Sequence, residues 1–182
     1  MLTLDFIKKY GVNKLSELAI RINRHEDGRI ILNYNQLDSP KTDPIVMECR
    51  ALTVTEDGEL IARSFNRFFN TNEVLHITRA FRWDMPVKAW DKEDGSCILY
   101  FYWNEAWNIQ TRNSFADANI PNQTITWAAL VNECLNNTKF HEHSHEYTDL
   151  NFVFELCSPY NQVVKRYPEP ALYLLAAFQG TY

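Results

Sequence analysis

One tripeptide, Glu-Asp-Gly, occurs three times in this chain of 182 residues, at Glu26-Asp27-Gly28, Glu56-Asp57-Gly58 and Glu93-Asp94-Gly95. The first copy separates residues 20–24 from 29–34, and the second separates 52–55 from 59–62. An acidic pair followed by glycine suits a tight turn that needs left-handed backbone, so both copies predict β-hairpins. The third copy reads locally as another such turn. It differs in its flanks: Lys92 precedes it, and Ser96 then leads into Cys97-Ile98-Leu99-Tyr100-Phe101-Tyr102-Trp103, a run apolar enough for a largely buried strand.

That lysine gives the third copy a chemical reading. A lysine amine attacks the α-phosphate of a nucleotide if its charge is suppressed and the phosphate is held in line. A reference pKa of about 10.4 against pH 7 sets the suppression at roughly 4.6 kcal/mol. Neighbouring cations and desolvation are the means available, which predicts a Lys92 partly buried at the floor of a groove. Gly95 would let backbone N–H groups approach the phosphate.

The rest of the chain supplies the frame. Residues 4–10 predict a short helix ended by Gly11, and Asn13 is placed to cap a further turn through Leu18. Residues 35–44 form a polar loop with two prolines, and Met47-Glu48-Cys49-Arg50 opens the second hairpin. Residues 86–90 read as a strand leading into Lys92. Residues 97–103 and 107–112 read as a third hairpin across Asn104-Glu105-Ala106. Trp127, Leu130, Val131, Cys134 and Leu135 repeat at helical spacing within 125–135, with Asn122 or Thr124 as the cap. Residues 151–159 and 171–178 are two further strands. Several hairpins with few helices give an α+β fold with mainly antiparallel sheet.

Three arginines, Arg50, Arg63 and Arg67, lie close in sequence to Phe68 and Phe69. Guanidinium groups meet phosphate oxygens in bidentate geometry and aromatic faces stack on bases, so Phe69, with Phe68 second, is expected at a nucleotide pocket. The alternative is a strand end with core phenylalanines and solvated arginines. Glu155 sits inside the apolar run Phe152-Val153-Phe154-Glu155-Leu156-Cys157, where a carboxylate needs a cation, a ligand hydroxyl or a metal. His141, His143 and His145 would share one face of a strand and bind a transition metal there, or decorate a surface loop. Residues 92–182 hold 5 Lys+Arg against 10 Asp+Glu, so the whole formal net charge of −5 falls in the second half. That argues against a broad nucleic-acid face in that half. The four cysteines form no Cys-x-x-Cys pair and read as reduced, mostly buried thiols. With no secretion signal and no apolar run of membrane-spanning length, the expectation is a cytoplasmic protein without a membrane partner.

In order along the chain, Glu48-Cys49-Arg50, Arg63 through Asn72-Glu73, Lys92 through Ser96 and Phe152 through Val164 resemble the covalent nucleotidyltransferase superfamily. Within it they are similar to phage-type ATP-dependent RNA ligases of the tRNA-repair (RNA ligase 1) group. With the strand at 172–178 the similarity covers nearly the whole chain. Lys-x-Asp-Gly alone is weak; the ordered set is strong. The resemblance implies an adenylyltransferase domain, incomplete at its C-terminus, in which Lys92 becomes Lys–AMP. It also implies ATP, Mg2+ (or Mn2+), and an RNA substrate with 5′-phosphate and 3′-hydroxyl ends, tRNA first among them. AMP would pass to the 5′-phosphate and the 3′-hydroxyl would then be sealed. Arg50, Arg67, Phe69, Asp94, Gly95, Ser96, Arg112 and Glu155 are implied at the nucleotide, and Glu155 near ribose and metal.

Relatives often carry glycine where this chain has Ala51. The family's acidic fourth motif and the lysine pair of its fifth find no match before Tyr182, so a C-terminal half or second polypeptide is expected to complete the site. Two other classes compete with the ligase. One is a non-catalytic nucleotide- or RNA-binding remnant, and the other is a plain interaction domain. DNA ligases and capping enzymes share the lysine motif.

Overall fold

In the computed structural model the described residues are 1–70, 73–74, 84–138, 140 and 144–179. Among them, eight strands form two antiparallel sheets. β1 (Ile20–Arg24), β2 (Ile30–Tyr34), β3 (Arg50–Val54) and β4 (Leu60–Ala62) lie in that order in the first sheet. In the second, β5 (Ser96–Trp103) and β7 (Leu150–Cys157) are central, flanked by β6 (Ala106–Thr111) and β8 (Ala171–Gln179) in the order β6-β5-β7-β8. The α+β class with mainly antiparallel pairing is as the sequence predicts.

Alternation along the strands sorts the core into layers. Ile98, Tyr100, Phe152, Phe154 and Leu156 face helix α3 (Trp127–Asn136), while Leu99, Phe101 and Val153 face the first sheet and meet Ala51, Ile61 and Ala62. The far side of the first sheet is covered by helix α1 (Leu2–Tyr10) and the 3-10 turn Val12–Leu18 through Ile7, Val12 and Leu15, and by Val46 of the short helix α2 (Pro44–Glu48). The two sheets are therefore pressed face to face, with helices outside.

Several local expectations are corrected. Helix α1 begins two residues earlier than the predicted residue 4, because the Glu48 carboxylate, 45 residues away, accepts the N–H groups of Leu2 at 3.2 Å and Thr3 at 2.8 Å. Met47 and Glu48 do not open a strand. Asp43 caps α2 through the N–H groups of Ile45 and Val46, with Pro44 in the first turn. The turn after Gly11 starts at Val12 with no side-chain cap from Asn13. Residues 86–90 have no ladder partners, so no strand forms there. The cap of α3 is Thr126, whose hydroxyl accepts the N–H of Ala129 at 3.1 Å, rather than Asn122 or Thr124. Asn104 and Glu105 both take positive φ, 52° and 62°, and close the β5–β6 hairpin in two residues.

The third Glu-Asp-Gly is not a hairpin turn. Gly28 and Gly58 have φ of 94° and 79°, and in each case the glycine N–H closes a four-residue turn on the residue three before it. Gly95 has no such φ. It stands where β5 enters the sheet, and a Cβ there would lie 2.2 Å from the carbonyl oxygen of Leu156 on β7. Ala51 reverses the usual pattern, taking φ 58° as the extra residue of a β-bulge between β2 and β3. That left-handed backbone is the physical reason a glycine suits this position.

Candidate active site

A cavity of about 670 Å³ opens between the strand-entry segment 90–97, the end of β6 and the start of β3. Lys92, Glu93, Gly95, Ser96, Cys97, Arg50, Arg112 and Glu155 line it, with Phe65, Phe68, Trp90 and Trp127 as its aromatic surface. Six of the nine sequence-predicted site residues thus meet in one place: Lys92, Arg50, Gly95, Ser96, Arg112 and Glu155. Lys92 is exposed rather than partly buried, which corrects the expected groove floor, although Arg50 and Glu155 do share the cavity with it.

Each polar group has a definable setting. Arg50 donates from Nη1 to Ser64 Oγ at 3.2 Å and stacks over Phe68 at 5.0 Å. Phe68, 63% exposed, lines the cavity; Phe69 does not, and instead lies 5.4 Å from the Arg67 guanidinium. Glu155 accepts the Gly95 N–H at 3.0 Å, so this amide is engaged by a carboxylate and not directed at open cavity. Burial pushes Glu155 above the ordinary carboxylate value, outweighing the Gly95 N–H and the positive charges of Lys92 and Arg50. Burial likewise raises the Cys97 thiol, against the opposing charge of Arg50.

Asp94 turns away from the cavity lining. Its Oδ2 accepts the N–H groups of Val164 at 2.7 Å and Lys165 at 2.6 Å, and these hold its pKa below the usual range. Its own N–H donates to the Tyr167 hydroxyl, which in turn donates to Glu93 at 3.0 Å. Asn161 donates to Ser96 Oγ at 2.9 Å and to the Leu156 carbonyl at 2.7 Å. The acidic pair and Ser96 therefore pin the lysine segment to the loop after β7. No signal in the sequence separates Asn161 and Tyr167 from ordinary loop residues.

Arg67 is 3% exposed, and its Nη1 and Nη2 have no hydrogen-bond partner among the described residues. Its guanidinium lies 4.2 Å over the ring of Tyr34, and that of Arg112 lies 4.7 Å over the same ring. Buried guanidinium donors left unpaired are costly, so this arrangement favours an anion. Tyr34, read from the sequence only as a strand end, is the surface on which both cations rest.

The described residues contain no group of three or more His, Cys, Asp or Glu able to hold a metal. Glu155 by itself does not make a metal cage. His141 and His143 lie outside the described residues, as does Asn72, and His145 is exposed in the 3-10 turn Ser144–Tyr147. No helix among the described residues is long and apolar enough to cross a membrane.

A family model described as RNA ligase matches residues 48–181, from the end of α2 through β8. The chain belongs to the RNA ligase family. This family member is also 30% identical, over 184 aligned positions and 92% of its length, to a protein of Autographa californica nuclear polyhedrosis virus named as a bifunctional polynucleotide kinase/RNA ligase. The chain spans about a quarter of the length of that curated relative, 26%. The matched segment contains Arg50, Lys92, Arg112 and Glu155, and the first hairpin with Asn33 and Tyr34 precedes it.

Proposed function

We propose that the cavity binds ATP and that Lys92 takes AMP from it, as the first step of ATP-dependent RNA sealing in a nucleotidyltransferase-type domain. The observation that carries this reading is the convergence of one exposed lysine, two guanidiniums and a half-buried carboxylate on a cavity with an aromatic wall. Phe68, Trp90 and Trp127 offer apolar surface to a purine, while Arg50 and Arg112 offer positive charge to the phosphates. In the step itself Lys92 Nζ, having lost a proton, forms a bond to the α-phosphorus and the bond to pyrophosphate breaks. The RNA 5′-phosphate then attacks that phosphorus and releases Lys92, and a 3′-hydroxyl displaces AMP to seal the strand. An end-sealing role in RNA repair, with tRNA as substrate and Mg2+ accompanying ATP, belongs to the same proposal.

Guanidiniums placed before the reaction begins act on charge that develops at phosphorus, where fixed cations contribute most. Incubating the chain with [α-³²P]ATP and magnesium, followed by denaturing electrophoresis, tests the reading. Label retained by the chain and lost in Lys92→Arg supports it; equal label in both contradicts it. A second reading, a nucleotide-binding remnant, is favoured by the exposure of Lys92. ATP bound without covalent label would select it.

A further inference from the structure

Arg50 and Arg112 line the same cavity but come from different sheets, Arg50 from the start of β3 and Arg112 from the residue after β6. One side chain touches the backbone beside both. Asn33 on β2 is 4% exposed; its Oδ1 accepts the Ala51 N–H at 2.9 Å and its Nδ2 donates to the Arg112 carbonyl at 2.5 Å. The bulge explains why the first contact exists. Asn33 pairs with Arg50 and Leu32 with Leu52, so Ala51 is left over and its N–H has no place in the β2–β3 ladder. The second contact crosses from one sheet to the other at the cavity wall. Because one partner donates and the other accepts, only one orientation of the amide satisfies both. The next residue, Tyr34, carries the ring shared by Arg112 and Arg67.

Resting on the reading of the cavity as a nucleotide site, we propose that Asn33 is a positioning residue that sets the separation of Arg50 and Arg112 for the phosphates. Aspartate at this position keeps the acceptor for Ala51 N–H and loses the donor to Arg112, whereas the bulge itself persists. ATP binding, followed by the fluorescence of Trp90 and Trp127 at the cavity, gives a readout independent of covalent chemistry.

The decisive experiment is a double-mutant cycle on the full chain between Asn33→Asp and Arg112→Ala, with thermal melts confirming that each variant is folded at the assay temperature. Alone, Asn33→Asp is expected to weaken ATP binding about tenfold, as small displacements of binding groups do. On the Arg112→Ala background its further effect is expected to fall below about twofold. Asn108, whose Nδ2 donates to the Trp103 and Ala106 carbonyls and which does not line the cavity, supplies the control, and Asn108→Ala should leave affinity unchanged. If Asn33→Asp does not fold, Asn33→Ser takes its place in the cycle. Losses that multiply between Asn33 and Arg112 overturn the proposal. Absence of ATP binding by the unsubstituted chain overturns both the proposal and the reading beneath it, and binding without Lys92 labelling overturns the adenylylation step alone.

Discussion

At Glu26-Asp27-Gly28 and Glu56-Asp57-Gly58 the glycine bends the chain back with a φ that other residues resist, and the tripeptide joins adjacent strands. At Glu93-Asp94-Gly95 the chain enters β5 at the next residue without a hairpin turn, and the glycine is needed because a neighbouring strand lies too close for any side chain. The acidic residues differ in the same way. Asp27 binds Arg29 two residues on, whereas Asp94 binds backbone 70 residues away. Identical tripeptides thus make a local contact in one place and a long-range contact in another. The long-range copy is the one beside the cavity.

The three glycines differ most in what alanine would meet in their place. Gly95→Ala places a methyl group against backbone that cannot move without opening β5 from β7, so a loss of at least about 4 kcal/mol is expected in urea unfolding. Gly58→Ala combines left-handed strain with crowding at Ile7, where a Cβ would sit 3.0 Å from Cγ2, and about 2 kcal/mol follows. Gly28→Ala meets open space and should cost only the strain, about 1 kcal/mol. Equal losses at all three glycines would erase the distinction between the copies.

Acid sharpens it. Burial alone would raise the pKa of Asp27, but the Arg29 side chain and N–H, with His25, lower it to about 2 from its ordinary 3.8. The folded state therefore binds fewer protons than the unfolded state in that window, and stability falls as the solution is acidified through it. Discounted for the solvent exposure of Asp27, the contribution is about 1 kcal/mol, full above pH 4 and lost toward pH 2. Unfolding free energies of wild type and Asp27→Asn should converge by about that amount over this range. Glu155, held above its usual value, has the opposite slope: its ionisation weighs against folding as pH rises.

The smallest expected change is at Ala51. Glycine there relieves about 1 kcal/mol of left-handed strain and removes a fully buried methyl group worth about 0.8 kcal/mol, so Ala51→Gly should stay within about 0.5 kcal/mol of wild type. A thermal melt checks it, and a large loss would show that the methyl group's packing against the second sheet matters more than strain.

What could be read from the sequence was local. Gly28, Gly58 and Gly11 act within a few residues, so the hairpins and the end of α1 were legible in it. Arg50, Lys92 and Glu155 were legible within an ordered set of stretches, with Arg112 named beside it, though their convergence needs both sheets. The misses involve partners far along the chain or choices between neighbours. Glu48 looks like a strand opener until its reach to Thr3 is seen, and Asn33 looks like an ordinary strand residue until the bulge at Ala51 exposes an N–H. Phe68 and Phe69 differ only in which side of the segment faces the cavity, a direction that irregular backbone does not encode by periodicity. Lys92 is exposed on a segment without ladder partners, where the sequence suggested a strand leading into a groove floor.

On the proposed reading, Lys92 is the residue that carries AMP. Mass spectrometry of proteolytic fragments, after incubation of the full chain with ATP and magnesium, tests it most directly. An adenylyl mass on the fragment containing Lys92-Glu93-Asp94, absent from the Lys92→Arg protein, is the predicted result. An adenylyl group found on another residue, or one that persists at this level in Lys92→Arg, would rule out Lys92 as the nucleophile.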